Sequence, residues 1–223
     1  MIGILCGMKS EAVIADKIPD VMVGCSGARH DRAKALVSHM IDQGAQRLIS
    51  FGLCGAVSPD LVAGDLLFGT SVMALGDAWE ADGAAYQSLV DKLPRALCVS
   101  FWGGDRIAAR AQDKAMIYRR TACMAVDMES HIVARQAHEA GIPFNVIRAV
   151  SDPFDMDLPP AALLPLTAEG GVDTSAVWQS IKKTPAQLFD LTRLGYNTFL
   201  AMRSLRFAVT ALKEVYHEPA SNR

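Results

Sequence analysis

Membrane-length apolar runs, an excess of either charge, and patterned cysteine are all missing from this sequence. No stretch reaches the roughly 18 apolar residues that a spanning helix needs, so no such helix is expected. Lys and Arg number 22 against 24 Asp and Glu, a formal net charge of -2, and the pI is near 6.2. That balance excludes the overall basic field that gathers nucleic acid. Only five cysteines occur, Cys6, Cys25, Cys54, Cys98 and Cys123, with no CxxC pair and mostly inside apolar runs. There they behave as small hydrophobes, so neither disulfides nor a zinc site is indicated. The opening MIGILCGMKSEA pairs a short apolar run with no basic flank and no cleavage site. No signal peptide is expected, and the chain reads as cytoplasmic.

The common catalytic templates are also missing: no GxSxG elbow, HExxH pair, Walker loop or GxGxxG fingerprint is present. The histidines, His30, His39, His131, His138 and His217, show no metal-ligand spacing, so no metal is expected. Acid–base work, if there is any, falls to carboxylates.

At 223 residues, 51% hydrophobic and 21% charged, the chain suits one soluble domain over residues 1–223. Short apolar runs alternate with helical patterns from the first residue. IGILC, VMVGCSG, RLISFGLCG, GDLLFGTSVMAL, RALCVSFWGGD, CMAVDM and FNVIRAVSD read as about seven strands. Between them lie helices from about Ser10, from Asp31 to Gly44, and at KAMIYRRT and ESHIVARQAHEAG. This order predicts an α/β fold with a central mixed sheet flanked by helices. Residues 153–175 hold four of the ten prolines and two adjacent glycines, which predicts a structured loop or lid. Beyond it, Leu188, Leu191, Leu194, Phe199, Met202, Leu205, Val209 and Leu212 recur at helical spacing, predicting one long C-terminal helix with an apolar stripe.

In α/β sheets, ligands sit beyond the carboxyl ends of the strands. Polar or glycine residues cluster there: Glu11, then Ser26 to Arg29, Gly52 to Gly55, Asp105, Asp127 to Glu129, and Ser151 with Asp152. Taken singly, each is explained by turn chemistry or, for Asp127 and Glu129, by the positive end of a helix dipole. Together they describe one site.

IGILCGMKSEA, SFGLCGAVSPDLVAGDLL and AVDMESHIVARQAHEAGIPFNVIRAVSD resemble, in order, the main signatures of the purine nucleoside phosphorylase and methylthioadenosine nucleosidase superfamily. The resemblance spans residues 1–152 and implies a nucleoside phosphorylase-like fold and cleavage of a purine–ribose N-glycosidic bond. It implies Asp152 as the general acid at purine N7, oriented by Ser151. Glu129 would accept hydrogen bonds from the ribose hydroxyls, Met128 would pack on the sugar, and Glu11 would help activate a water. Arg148 would support the site from the strand below, and Asp127 is left as a structural acid. Asp105 and Ile107 are substrate-binding candidates in the segment where nucleosidases place a phenylalanine against adenine. Leu53 stands where the family commonly carries a hydroxyl, and Arg29, with Gly27 and Gly52, is the candidate phosphate cradle that compensates. No cofactor is implied. Phosphate is a potential co-substrate, and phosphorolysis and hydrolysis both stay open.

SDPFDMDLPPAALLPLTAEGGVD, KKTPAQLFDLTRL and the SFGLCGAV turn resemble the hopanoid-associated phosphorylase branch, to which adenine removal from adenosylhopane is ascribed. Such a substrate implies an apolar channel, with Leu158 to Leu166, Trp178, Phe189 and Phe199 as lining candidates. Lys182, Lys183, Arg193, Arg203, Arg206 and Lys213 face a single Asp190 across the C-terminal region, a pattern that either rests on anionic membrane or forms a solvated face. The alternatives are a methylthioadenosine or adenosylhomocysteine nucleosidase and a non-catalytic nucleoside-binding protein. The resemblance also implies a homo-oligomer.

Overall fold

A computed structural model describes residues 1–217, apart from the side chains at 88 and 215–217, so the side chain of His217 lies outside the described residues. The elements are β1 (Ile2–Cys6), α1 (Lys9–Ala15), β2 (Val21–Cys25), α2 (His30–Asp42), β3 (Arg47–Ala56), β4 (Leu66–Ala74), β5 (Asp77–Glu80) and α3 (Ala84–Val90), then β6 (Leu97–Gly103), α4 (Ala111–Thr121), β7 (Ala125–Asp127), α5 (Ser130–Ala140), β8 (Phe144–Asp152), α6 (Thr174–Lys183) and α7 (Leu188–His217). One 8-stranded mixed sheet results, as the alternating pattern predicts. Parallel β2, β1 and β3 lead into a closed ring of pairings, β3–β7–β6–β4–β8 and back to β3.

The strand count is a correction. Eight strands form where about seven are expected, because β5 turns back on β4 through Leu75 and Gly76, the glycine at φ +84°. DAWE buries only Trp79, so no period-2 signal betrays it. Helix α3 is likewise unannounced in the sequence.

Both faces of the sheet are covered, which explains why β8 (FNVIRAVSD) buries every residue. On one face α2 and α5 bury Ala33, Val37, Met40, Ile132, Val133 and Ala137. On the other, α1, α3 and α7 bury Ile14, Tyr86, Leu89, Leu205, Val209 and Leu212. Each large apolar side chain removed from water contributes roughly 1.5–3 kcal/mol.

The apolar stripe of α7 splits in two. Leu205, Val209 and Leu212 face the core, whereas Leu188 and Phe199 are more than half exposed. Residues 153–173 are pinned across the strand ends. The Lys9 N–H donates to Gly170 O at 2.9 Å, and the Leu158 N–H to Ala109 O at 2.7 Å. The Ala111 N–H donates to Asp157 Oδ1 at 2.7 Å. The segment therefore covers the carboxyl ends of β1 and β6.

Candidate active site

Glu11 sits in the first turn of α1, reached directly from β1. Its Oε2 accepts from the N–H groups of Gly7 and Met8 at 2.9 and 2.8 Å, and its Oε1 from Leu53 N–H at 2.8 Å. The carboxylate thus ties β1 to β3, and a carboxylate with about four acceptor positions keeps one unused. Gly52 makes the approach feasible, since a Cβ there would lie 2.6 Å from the Glu11 carboxyl carbon. Burial, reinforced by the nearby Glu129 and opposed by Arg148, pushes the Glu11 carboxyl up from 4.5 to about 7.

Arg148 reaches Glu129 and Asp127 from β8. It is buried to 1% exposure. Its Nη2 donates to Ser50 Oγ at 2.6 Å and to Glu129 Oε2 at 3.2 Å, and Nη1 donates to Leu53 O at 3.0 Å. Nε lies 3.0 Å from Asp127 Oδ2, an ion-pair contact whose angle makes no hydrogen bond. Asp127 also accepts from the N–H groups of Glu129 and Ser130, so it caps the start of α5 as the dipole reading requires. Burial raises the Glu129 carboxyl above its ordinary range, with Arg148 opposing. Three carboxyls around one guanidinium give the crevice surplus negative character.

Asp152 ends β8 beside the bulge of β3, where a Cβ on Gly55 would lie 2.7 Å from its Oδ2. Ser151 Oγ is 2.9 Å from Asp152 Oδ1, the contact the resemblance implies. The other oxygen meets a residue the sequence reading missed: Lys114 Nζ, 2.8 Å from Oδ2. Lys114 is fully buried, and its Nζ also lies within hydrogen-bond reach of the carbonyls of Pro153, Met156 and Asp152, at 2.8, 3.0 and 3.4 Å. A signal existed: Lys114 lies three residues after Ala111 and four before Tyr118, on the inward face of α4. Burial raises the Asp152 carboxyl, and Lys114 and Ser151 pull it back only in part.

Other expectations fare differently. Arg29, expected in a phosphate cradle, is exposed, and its guanidinium donates to Asp31 Oδ2 at 2.9 Å, two residues along its own chain. Gly27, at φ +65°, packs against Gly170 of the covering segment instead of facing an open cradle. Met128 is half-buried between Asp127 and Glu129, and Ile107 is exposed. Asp105 lines a cavity of about 670 Å³ with His30, Trp102, Gly104 and His131. None of Glu11, Glu129 or Asp152 lines that cavity. The three acids are buried, at 8% exposure or less. Trp178, Phe189 and Phe199, expected to line a channel, are instead largely exposed, another correction.

Residues 9–163 match the description "Phosphorylase superfamily". The chain belongs to the phosphorylase superfamily. Solved structures with the superfamily's fold align over nearly the whole chain. The 5'-methylthioadenosine/S-adenosylhomocysteine nucleosidase of Neisseria meningitidis, bound to methylthio-immucillin-A, has a TM-score of 0.70 at 15% identity, covering 96% of this chain and 98% of that one. The corresponding Helicobacter pylori nucleosidase gives 0.67 at 17%, covering 98% of each. The futalosine hydrolase of Helicobacter pylori gives 0.68 at 16%, covering 98% and 97%. No curated protein sequence matches the chain. At these identities the structures speak for the fold alone.

Proposed function

We propose that the protein hydrolyses the N-glycosidic bond of a purine nucleoside. The observation that supports this best is the trio of buried acids, Glu11, Glu129 and Asp152, at the carboxyl ends of the strands with distinct partners. Asp152 donates its proton to purine N7, the C1′–N9 bond breaks with its electron pair passing to the base, and positive character develops on the ribose. The surplus of carboxyls around Arg148 favours that charge. Glu129 fixes the sugar hydroxyls by charge-assisted hydrogen bonds, with Met128 against the ring. Water adds at C1′, and its proton passes to Glu11. A non-catalytic binder would have no use for a buried carboxyl raised in pKa beside N7.

Water is preferred to phosphate as the nucleophile because the cation nearest Glu11 and Glu129 is Arg148, already encircled by carboxyls, while Arg29 is occupied by Asp31. For the substrate we favour adenosylhopane. Leu188, Phe189, Tyr196, Phe199 and Phe207 lie exposed along α7, among Arg193, Arg203 and Arg206. An exposed aromatic and basic face suits contact with an anionic membrane in which a polycyclic lipid resides. Among the described residues no helix is long and apolar enough to cross a membrane, so peripheral contact at the cytoplasmic face is the arrangement proposed. Methylthioadenosine or adenosylhomocysteine is the second reading, favoured by the two nucleosidases of like fold. The deciding experiment measures adenine release from adenosylhopane and from methylthioadenosine, with and without phosphate. Release from adenosylhopane alone, unaffected by phosphate, is expected; phosphate dependence overturns hydrolysis, and preference for methylthioadenosine overturns the lipid substrate.

A further inference from the structure

Two imidazoles and a carboxylate meet at the edge of the 670 Å³ cavity, brought there by three different elements. His30 is the first residue of α2, His131 the second of α5, and Asp105 lies in the loop after β6. Their ligating atoms all fall within 4.8 Å of one another. Asp105 Oδ1 is 3.6 Å from His30 Nδ1 and 3.3 Å from His131 Nε2. Both are long for a charge-assisted hydrogen bond, which runs about 2.7–2.9 Å. The shorter one matches the separation of two donors on a tetrahedral ion, about 3.3–3.4 Å when each bond is about 2.0–2.1 Å, and the longer one exceeds it by about 0.2 Å. The rings meet edge to face at 5.7 Å between centroids, and the far nitrogens, His30 Nε2 and His131 Nδ1, are buried without a hydrogen-bond partner. Gly103 brings β6 against α5, since a Cβ there would lie 2.3 Å from the Cβ of His131.

We propose that His30, His131 and Asp105 form a binding site for a late first-row divalent cation of the zinc or cobalt type, with the remaining position open to the cavity. Two imidazoles and one carboxylate select such ions over magnesium or calcium, which take oxygen ligands. Lys34, Arg106 and Arg135 also line the cavity, so the open position is suited to water or an anionic oxygen. Metal-bound imidazoles usually donate their far N–H to an acceptor, and loss of that support typically lowers affinity 10–100-fold. The site is therefore an exchangeable one, not a permanent structural centre. The proposal stands apart from the hydrolytic reading, since none of the three acids of the reaction belongs to it.

The test is cobalt(II) titration of the EDTA-stripped chain, followed by visible absorption. One saturable equivalent with d–d bands of a low-coordinate ion is expected, displaced by zinc and unaffected by millimolar magnesium. His131→Ala and Asp105→Asn are expected to weaken binding at least tenfold, with unchanged circular dichroism, while His39→Ala and His138→Ala bind as the parent does. Failure to saturate below millimolar cobalt, or equal binding by the His131 and Asp105 variants and the parent, overturns the site and assigns any signal to adventitious surface histidines.

Discussion

Arg148 and Lys114 are both buried cations of the candidate active site, yet they are held in opposite ways. Arg148 is encircled by the carboxylates of Asp127 and Glu129, with Glu11 near, and burial fails to discharge it against those three. Lys114 meets one carboxylate and a set of backbone carbonyls. A guanidinium offers a planar fork of donors that several carboxylates can share, whereas an ammonium is a compact point charge. On the proposed function, the half that would hold the ribose is thus organised around a cation shared among carboxylates, and the half that would hold the base around a single carboxylate–ammonium pair. That division matches what glycosidic cleavage demands of each half: orientation and charge tolerance at the ribose, proton donation at the purine.

Arg148→Met breaks the comparison most severely. Removing one partner of a buried ion pair leaves the others uncompensated, at a cost of about 3–5 kcal/mol. Here Asp127 and Glu129 both lose their cation. Urea unfolding is expected to show a loss of that size, together with loss of activity. A stable variant would mean that the sugar half does not depend on its fixed charge. Asp152→Asn tests the other half. It keeps the shape and removes the proton, so turnover is expected to fall about 10²–10⁴-fold, with nucleoside binding by calorimetry largely kept and the fold intact. Normal turnover would remove Asp152 from the reaction.

Arg148 and the acids around the site were far more legible in the sequence than Lys114. Glu11, Glu129, Arg148 and Asp152 announce themselves by lying at the ends of apolar runs, and β8 reads as a buried strand because its apolar residues run almost unbroken. Lys114 does not, because a lysine in an otherwise amphipathic helix looks like one more solvated charge; only its place on the inward face distinguishes it. Arg29 is the converse case. Its position after β2 suits a phosphate, but Asp31, two residues on, takes its charge. His30, His131 and Asp105 come from three elements, so their convergence leaves no spacing to read. Strand β5 is too short, with a single buried residue, to show a period.

Glu11 supplies a smaller effect, seen in pH dependence. Its carboxyl titrates near 7 in the folded chain against an ordinary 4.5, so the folded state keeps a proton that the unfolded chain has lost between those values. Its contribution to stability is complete below about 4.5 and declines as pH rises to about 7. The rate is expected to run the opposite way, because only ionised Glu11 accepts a proton from water: kcat/KM should climb with pH up to about 7. Glu11→Gln should flatten the stability slope and remove the acid limb of the rate. The slope is the readout, since the amide also disrupts at least one of the three N–H contacts. A parent rate independent of pH between about 5 and 7 would show that Glu11 accepts no proton in the slow step.

Lys114→Met is expected to have the mildest effect and discriminates most finely between the two halves. An opposite charge within about 4–6 Å lowers a carboxyl pKa by about 1–3 units, so deleting the ammonium lets burial push Asp152 higher. The reactive form of Asp152 is protonated, hence the alkaline limb of kcat/KM should move to higher pH by at least about one unit. At neutral pH the rate should fall by no more than about tenfold, because the carbonyls of Pro153 and Met156 lose their donor and the start of the covering segment loosens. A merely structural lysine would lower the rate and leave the limb in place. Lys114→Arg separates the two contributions further, since it restores a cation but not the compact shape of the ammonium. If the limb returns to its parental position but the rate does not recover, charge sets the proton affinity of Asp152 and the fit of the ammonium among the carbonyls of Pro153 and Met156 sets the rate.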